Sequence, residues 1–127
     1  MLKRFSYTSD TQDVNATKVV INSIELTVGT VITVPLDSEC AVVTIDIQNS
    51  EQLANIIIRV VRNRVPISNM LYSLTAWNNM VLDSKEFLEG GDILLVGADV
   101  DDVMFAVSCD ISKKEQEDEY TTTQLQE

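Results

Sequence analysis

The run Asp99-Val100-Asp101-Asp102 holds the densest supply of hard oxygen ligands in the chain, and Asp92 lies shortly upstream. Calcium and similar cations need several oxygen ligands at short spacing, and this run offers three carboxylates. An EF-hand loop would also carry Gly at its sixth position and Glu at its twelfth, and neither is there. Aspartates of a hairpin turn more commonly cap backbone amides. Asp99, Asp101 and Asp102 are therefore weak metal candidates, and no metal or cofactor is expected.

Other chemistries fare worse. Glycoside hydrolysis needs two carboxyl groups across a cleft, one of them in an apolar setting. Glu86 with Glu89, or Asp46 with Asp110, fall on polar faces or in turns. Gly90-Gly91 has no following helix and no Lys-Ser/Thr, so it reads as a turn and not as a phosphate cradle. The chain has no histidine, which excludes Ser-His-Asp and Cys-His nucleophile systems and imidazole-dependent zinc sites. Trp77 and Tyr72, with Asn78 and Asn79 beside the indole, have the makings of a sugar-stacking platform. An aromatic in a small sandwich is more often a core or interface anchor. No enzyme is expected, and carbohydrate or receptor binding through Trp77 and Tyr72 stands as the alternative function.

Charge and length narrow the partners. The 127 residues carry 20 Asp and Glu against 9 Lys and Arg, a net −11. Such a surface does not neutralise phosphates, so neither nucleic acid nor an anionic membrane is an expected partner. The charge is uneven: residues 99–127 hold nine acids and two bases, and the stretch after Ile111 reads as a solvated acidic tail. Lys3 and Arg4 are not followed by the apolar run of an export signal, and no apolar stretch is long enough to span a bilayer. Cys40 and Cys109 form no CxxC motif; two reduced thiols of a protein made in the cytosol is the favoured reading, with a disulfide between them as the alternative.

The elements that must position these residues are strands. Between residues 18 and 111 the apolar period is two. Over 40–48, Ala41, Val43, Ile45 and Ile47 share one face; over 103–111, Val103, Phe105, Val107, Cys109 and Ile111 do. Further strands are expected at 18–26, 30–34, 55–63, 65–72, 80–83, 86–88 and 92–96. Turn signals fall at Gly29, 35–38, 49–50, 78–79, 90–92 and 99–102, and only 50–54 suits a short helical turn. Eight or nine short strands at this spacing predict an all-β fold: an antiparallel, jelly-roll-like β-sandwich over 18–111. An extended N-terminal arm (1–17) precedes it and the acidic flexible tail (112–127) follows.

Residues 55–63 break the alternation. Ile56, Ile58 and Val60 point one way, and Ile57 and Val61 the other, so both faces need cover. The second cover is either a neighbouring loop or another copy of the chain, and the copy is favoured because a small sandwich would otherwise expose an apolar patch there. Arg59, Arg62 and Arg64 cluster on the same stretch, either to meet acids of a neighbouring subunit or as surface charges with partners in their own chain. In the arm, Phe5 and Tyr7 have strand alternation and can add to a sheet edge of their own or a neighbouring subunit. The expected interface residues are thus Ile57, Arg59, Val61, Arg62, Phe5 and Tyr7.

Several turn-and-strand pieces carry a family likeness. They are Val34-Pro35, Ile47-Gln48-Asn49, the doubly apolar strand, Val81-Leu82-Asp83, Phe87-Leu88-Glu89-Gly90-Gly91-Asp92-Ile93-Leu94 and Ala106-Val107-Ser108. Over residues 20–111 the chain resembles small β-sandwich virion proteins of tailed bacteriophages, the decoration, fibre, collar and tail-associated group. It departs from them after Val34-Pro35, where Leu36 stands in place of Gly. The resemblance implies a non-enzymatic structural subunit of the virion, made in the host cytoplasm. It also implies a homo-oligomer, often a trimer, attached to other virion proteins.

Overall fold

The computed structural model describes residues 2–84 and 86–114. They form an all-β, antiparallel sandwich of ten strands: β1 (Leu2–Thr8), β2 (Thr17–Ile21), β3 (Ile24–Thr33), β4 (Ser38–Gln48), β5 (Ala54–Arg62), β6 (Val65–Leu74), β7 (Asn79–Asp83), β8 (Phe87–Leu88), β9 (Ile93–Ala98) and β10 (Met104–Lys113). One sheet runs β1-β10-β4-β7, with β8 also on β4; the other runs β2-β3-β9-β5-β6. The acidic tail lies outside the described residues from Glu115 onward.

The core fills the space between the sheets. Ile45, Ile47, Val107 and Phe105 come from the first sheet, and Ile56, Ile58, Leu94 and Val96 from the second. Along β10 the alternation runs as its sequence predicts, with Val103, Phe105, Val107 and Cys109 all buried. Along β4 it does not. Cys40 and Val42 face inward together with Ile45 and Ile47, while Val43 is exposed. A bulge is the cause: Cys109 sits opposite Val42 and Ser108 opposite Thr44, leaving Val43 without a partner on β10. One extra residue flips every side chain beyond it. At the same place β4 changes partner, from β8 at Cys40 and Ala41 to β7 at Thr44.

Three further expectations are corrected. The single strand expected over 18–26 is a hairpin, turned at Asn22 and Ser23 with φ of 53° and 65°. Positive φ at both central residues gives the turn whose twist matches its strands, and Asn tolerates it. Asn63 and Arg64 turn the β5–β6 hairpin in the same way. Gly29 is no turn but lies within β3, where the Tyr7 ring occupies the space a Cβ would need. Residues 50–54 form no helical turn; bends lead straight into β5.

On the second face of the doubly apolar strand, Ile57 is covered by its own chain and Val61 is half-buried. Ile57 is 0% exposed and packs with Val19, Leu26 and Val28 of the β2–β3 hairpin, which arches across the outer face of β9 and β5. Gly97 permits the arch: a Cβ there would strike Thr27 O and the Val28 side chain. The expectation that a second copy covers Ile57 is therefore overturned.

Candidate functional site

The expected interface residues are largely engaged within the chain. β1 pairs along its length with β10, so Phe5 and Tyr7 add to their own sheet and turn toward the core. The rings of Tyr7 and Phe105 lie 6.2 Å apart, and burial, followed by Asp13 and Asp10, raises the Tyr7 pKa. Arg59 Nε donates to Asn69 Oδ1 at 2.7 Å. Val61 is half-buried beside the register shift of β5 against β6.

Arg62 does not await an acid from another subunit. Its Nε donates to Asp92 Oδ1 at 3.0 Å and its Nη2 to Oδ2 at 2.7 Å, a bidentate pair, with Glu89 Oε2 at 3.5 Å. Asp92 is 1% exposed and also accepts the Glu89 N–H at 2.8 Å. The guanidinium bonds hold the Asp92 carboxyl below its usual range, outweighing the burial that pushes it up. The same pair raises the Arg62 pKa. This cluster closes the β8–β9 connection onto β5, a structural fastening at one pole of the sandwich.

The other pole gathers four connections: 9–16, 49–53, 75–78 and 99–103. Hydrogen bonds join them in a row. Trp77 N–H donates to Ser50 O at 2.7 Å, and Asp102 N–H to Ser9 O at 2.9 Å. Thr11 donates its N–H and its hydroxyl to Asp101 Oδ1, both at 2.7 Å. These two bonds lower the Asp101 pKa. The side chain of buried Asn49 donates to the carbonyls of Gln52, Leu74 and Thr75 and accepts from Ser50 N–H. Buried Ser9 bridges Val100 O and Val103 N–H.

That network reassigns the weak metal candidates. Asp99 receives both the N–H and the Nδ2 of Asn55, and Asp101 serves Thr11, so their oxygens staple loops. Asp92 precedes β9 and Asp99 follows it, which separates them by about 20 Å of strand. Among the described residues no three acidic or sulfur ligands are grouped to hold a metal.

Tyr72 and Trp77 do not form one platform. Tyr72 sits on the inner side of β6 and lines an open groove of about 310 Å³ between β6 and β7, with Met70, Ile45 and Leu82. Trp77 stands 72% exposed in the β6–β7 connection, and the ring contact among the described residues is Tyr7–Phe105. The thiols offer no nucleophile: Cys40 and Cys109 are free and buried. Burial, reinforced by Cys109, pushes Cys40 up to about 12; burial also raises Cys109.

The surface that sequence reasoning missed is a flank without charge. From Val65 to Leu82 there is no Asp, Glu, Lys or Arg, in a chain that is 23% charged. The stretch builds β6, the Trp77 connection and β7 as far as Leu82, and these strands end the two sheets on the same side of the groove, where Asp83 and Glu86 are the bordering charges. Val65, Ile67, Leu71 and Val81 are exposed along it. Leu71 is paired with Ile57, so it continues the outer apolar face just beyond the hairpin's cover. Counting charge in short windows would have found this flank.

No protein-family profile matches the chain, and neither does any curated protein. Among solved structures it is similar to a Podospora anserina GH26-CBM35 β-(1,4)-mannanase, at 10% identity and a TM-score of 0.40, over 88% of this chain. The aligned part is 28% of the mannanase chain. It is also similar to Drosophila melanogaster CENP-C bound to CAL1, at 10% identity and a TM-score of 0.26, over 82% of this chain and 84% of that one.

Proposed function

We propose that this chain is a non-enzymatic structural subunit that works by protein–protein assembly, in the virion of a tailed bacteriophage. There it would serve as a capsid decoration, a neck or collar piece, or a tail or fibre component, as a homo-oligomer among other virion proteins. One observation carries the reading: the uncharged flank of residues 65–82. Unpaired edge strands invite pairing with other chains, and proteins that must stay single protect them with charge. Here β6 carries Pro66 and the bulge at Ile67 as guards but no charge, and it exposes Val65, Ile67 and Leu71. Copies of net −11 repel one another, and this flank, with Asp83 and Glu86 confined to one end of its groove, lets them meet with fewer opposing like charges.

Light scattering across concentration tests the reading. The expected result is a multiple of the 14.1 kDa chain mass, returned to monomer by the double change Ile67→Glu and Leu71→Glu with an unchanged circular dichroism spectrum. A wild-type monomer at about 100 μM, enough to fill any contact of micromolar affinity, would overturn it. Carbohydrate or receptor binding is the second reading. Trp77 is exposed as that reading requires, but Tyr72 turns into the groove, so the geometry supports assembly better.

A further inference from the structure

Nothing inside the fold asks for tryptophan at position 77. Its φ is 63°, in the left-handed region where a bulky side chain is strained and glycine is at ease. The turn needs that conformation, because it brings the Trp77 N–H to Ser50 O and lets Asn78 N–H reach Thr75 O at 3.2 Å. Glycine would make the same two bonds with less strain. The side chain contributes little packing in return, at 72% exposed. A strained and exposed large aromatic points to a use outside its own chain.

The surroundings define the chemistry of the partner. The four connections at this pole carry Asp10, Asp13, Glu51, Asp99, Asp101 and Asp102 and no Lys or Arg of their own; the one cation that reaches them among the described hydrogen bonds is Lys18, whose Nζ donates to Thr11 O at 2.9 Å. Leu53 is exposed in the connection that accepts the Trp77 N–H. Cross-loop hydrogen bonds hold these segments in place, so little ordering cost remains for binding. Acidic loops around an exposed indole repel nucleic acid and anionic lipid, and they attract a cationic surface.

We propose that Trp77 anchors a docking site for a cationic protein partner, one that offers the indole an apolar socket ringed by Lys or Arg. The inference rests on the reading of the chain as an assembly subunit and adds a contact with a different protein, away from the β6 edge. Trp77 is the one tryptophan of the chain, so its fluorescence reports the site directly. The probes are a synthetic peptide alternating Lys and Leu, a Glu/Leu peptide of equal length, and phosphatidylcholine vesicles. The Lys/Leu peptide should shift Trp77 emission to the blue and shield it from acrylamide, more weakly in high salt. By calorimetry, Trp77→Ala should weaken binding about tenfold, as loss of a central aromatic anchor does, and Glu51→Gln should weaken it less. Asp37→Asn, at the opposite pole, should leave it unchanged. Trp77→Gly, which keeps the turn, guards against a folding artefact. An emission shift with the vesicles or the Glu/Leu peptide instead, or equal binding by Trp77→Ala, overturns the proposal. A monomeric wild type that still binds the Lys/Leu peptide would sink the flank reading alone.

Discussion

At the residue scale, the side chains that looked chemical are mostly fasteners. Asp92 shows this through its pH dependence. Its folded pKa lies below the unfolded value of about 3.9, so the Arg62 pair contributes fully above that pH. Below it, the unfolded chain takes up the proton first, and the contribution disappears as pH falls through the folded value. Denaturant titrations from pH 7 to pH 2 should show this loss in the wild type. In Arg62→Gln, stability should already be lower at pH 7 and should respond less to acid. Trp77 makes the opposite case, a residue the fold would do better without. Trp77→Gly should stabilise by about 1 kcal/mol through relief of positive-φ strain, read as a raised denaturation midpoint. The thiols give a third check. Both should resist alkylation in the folded protein and react fully in denaturant, because burial keeps them protonated.

At the element scale, the strands were legible wherever alternation ran unbroken. β10 reads directly from Val103, Phe105, Val107 and Cys109. β4 does not, because the bulge at Val43 is set by the exchange of partners between β7 and β8, which no local pattern encodes. Ile57 shows the same limit. Its sequence says that both faces of β5 want cover, but not that the hairpin turned at Asn22 and Ser23 provides it for Ile57. Asn49 is the element-scale counterpart of Asp92, joining β4, β5 and β6 with one amide. Asn49→Ala would leave buried carbonyls such as Leu74 O without a donor. It should cost about 2–3 kcal/mol, seen in equilibrium unfolding. Gly97→Ala should destabilise by a similar or larger amount, since Thr27 O and Val28 of the paired strand β3 lie too close to admit a methyl group.

At the scale of the whole molecule, charge and shape divide the surface into a fastened pole, an acidic pole with Trp77, and an uncharged flank. Self-association through that flank should strengthen with salt, because screening removes the repulsion between copies while leaving apolar contact intact. Sedimentation at low and high ionic strength measures this, and a weaker oligomer in high salt would count against the flank. Composition already spoke against phosphate-bearing partners, yet the flank stayed hidden. Its signal is a local absence of charge, which whole-chain counts average away.

The position of β10 has a consequence for how the chain is made. The last strand lies in the middle of its sheet, between β1 and β4, which are the first and fourth strands of the sequence. Neither can find that neighbour until the ribosome has delivered residues 104–113. Two of the eight pairings among the described strands, β1–β10 and β4–β10, therefore wait for β10, and long-range strand pairing is slow even then. A nascent chain stopped at Val103 would hold β1 without its hydrogen-bonding partner and β4 with one side open. Closure of this one sheet is thus timed by the arrival of β10, while the β2-β3-β9-β5-β6 sheet can pair without it.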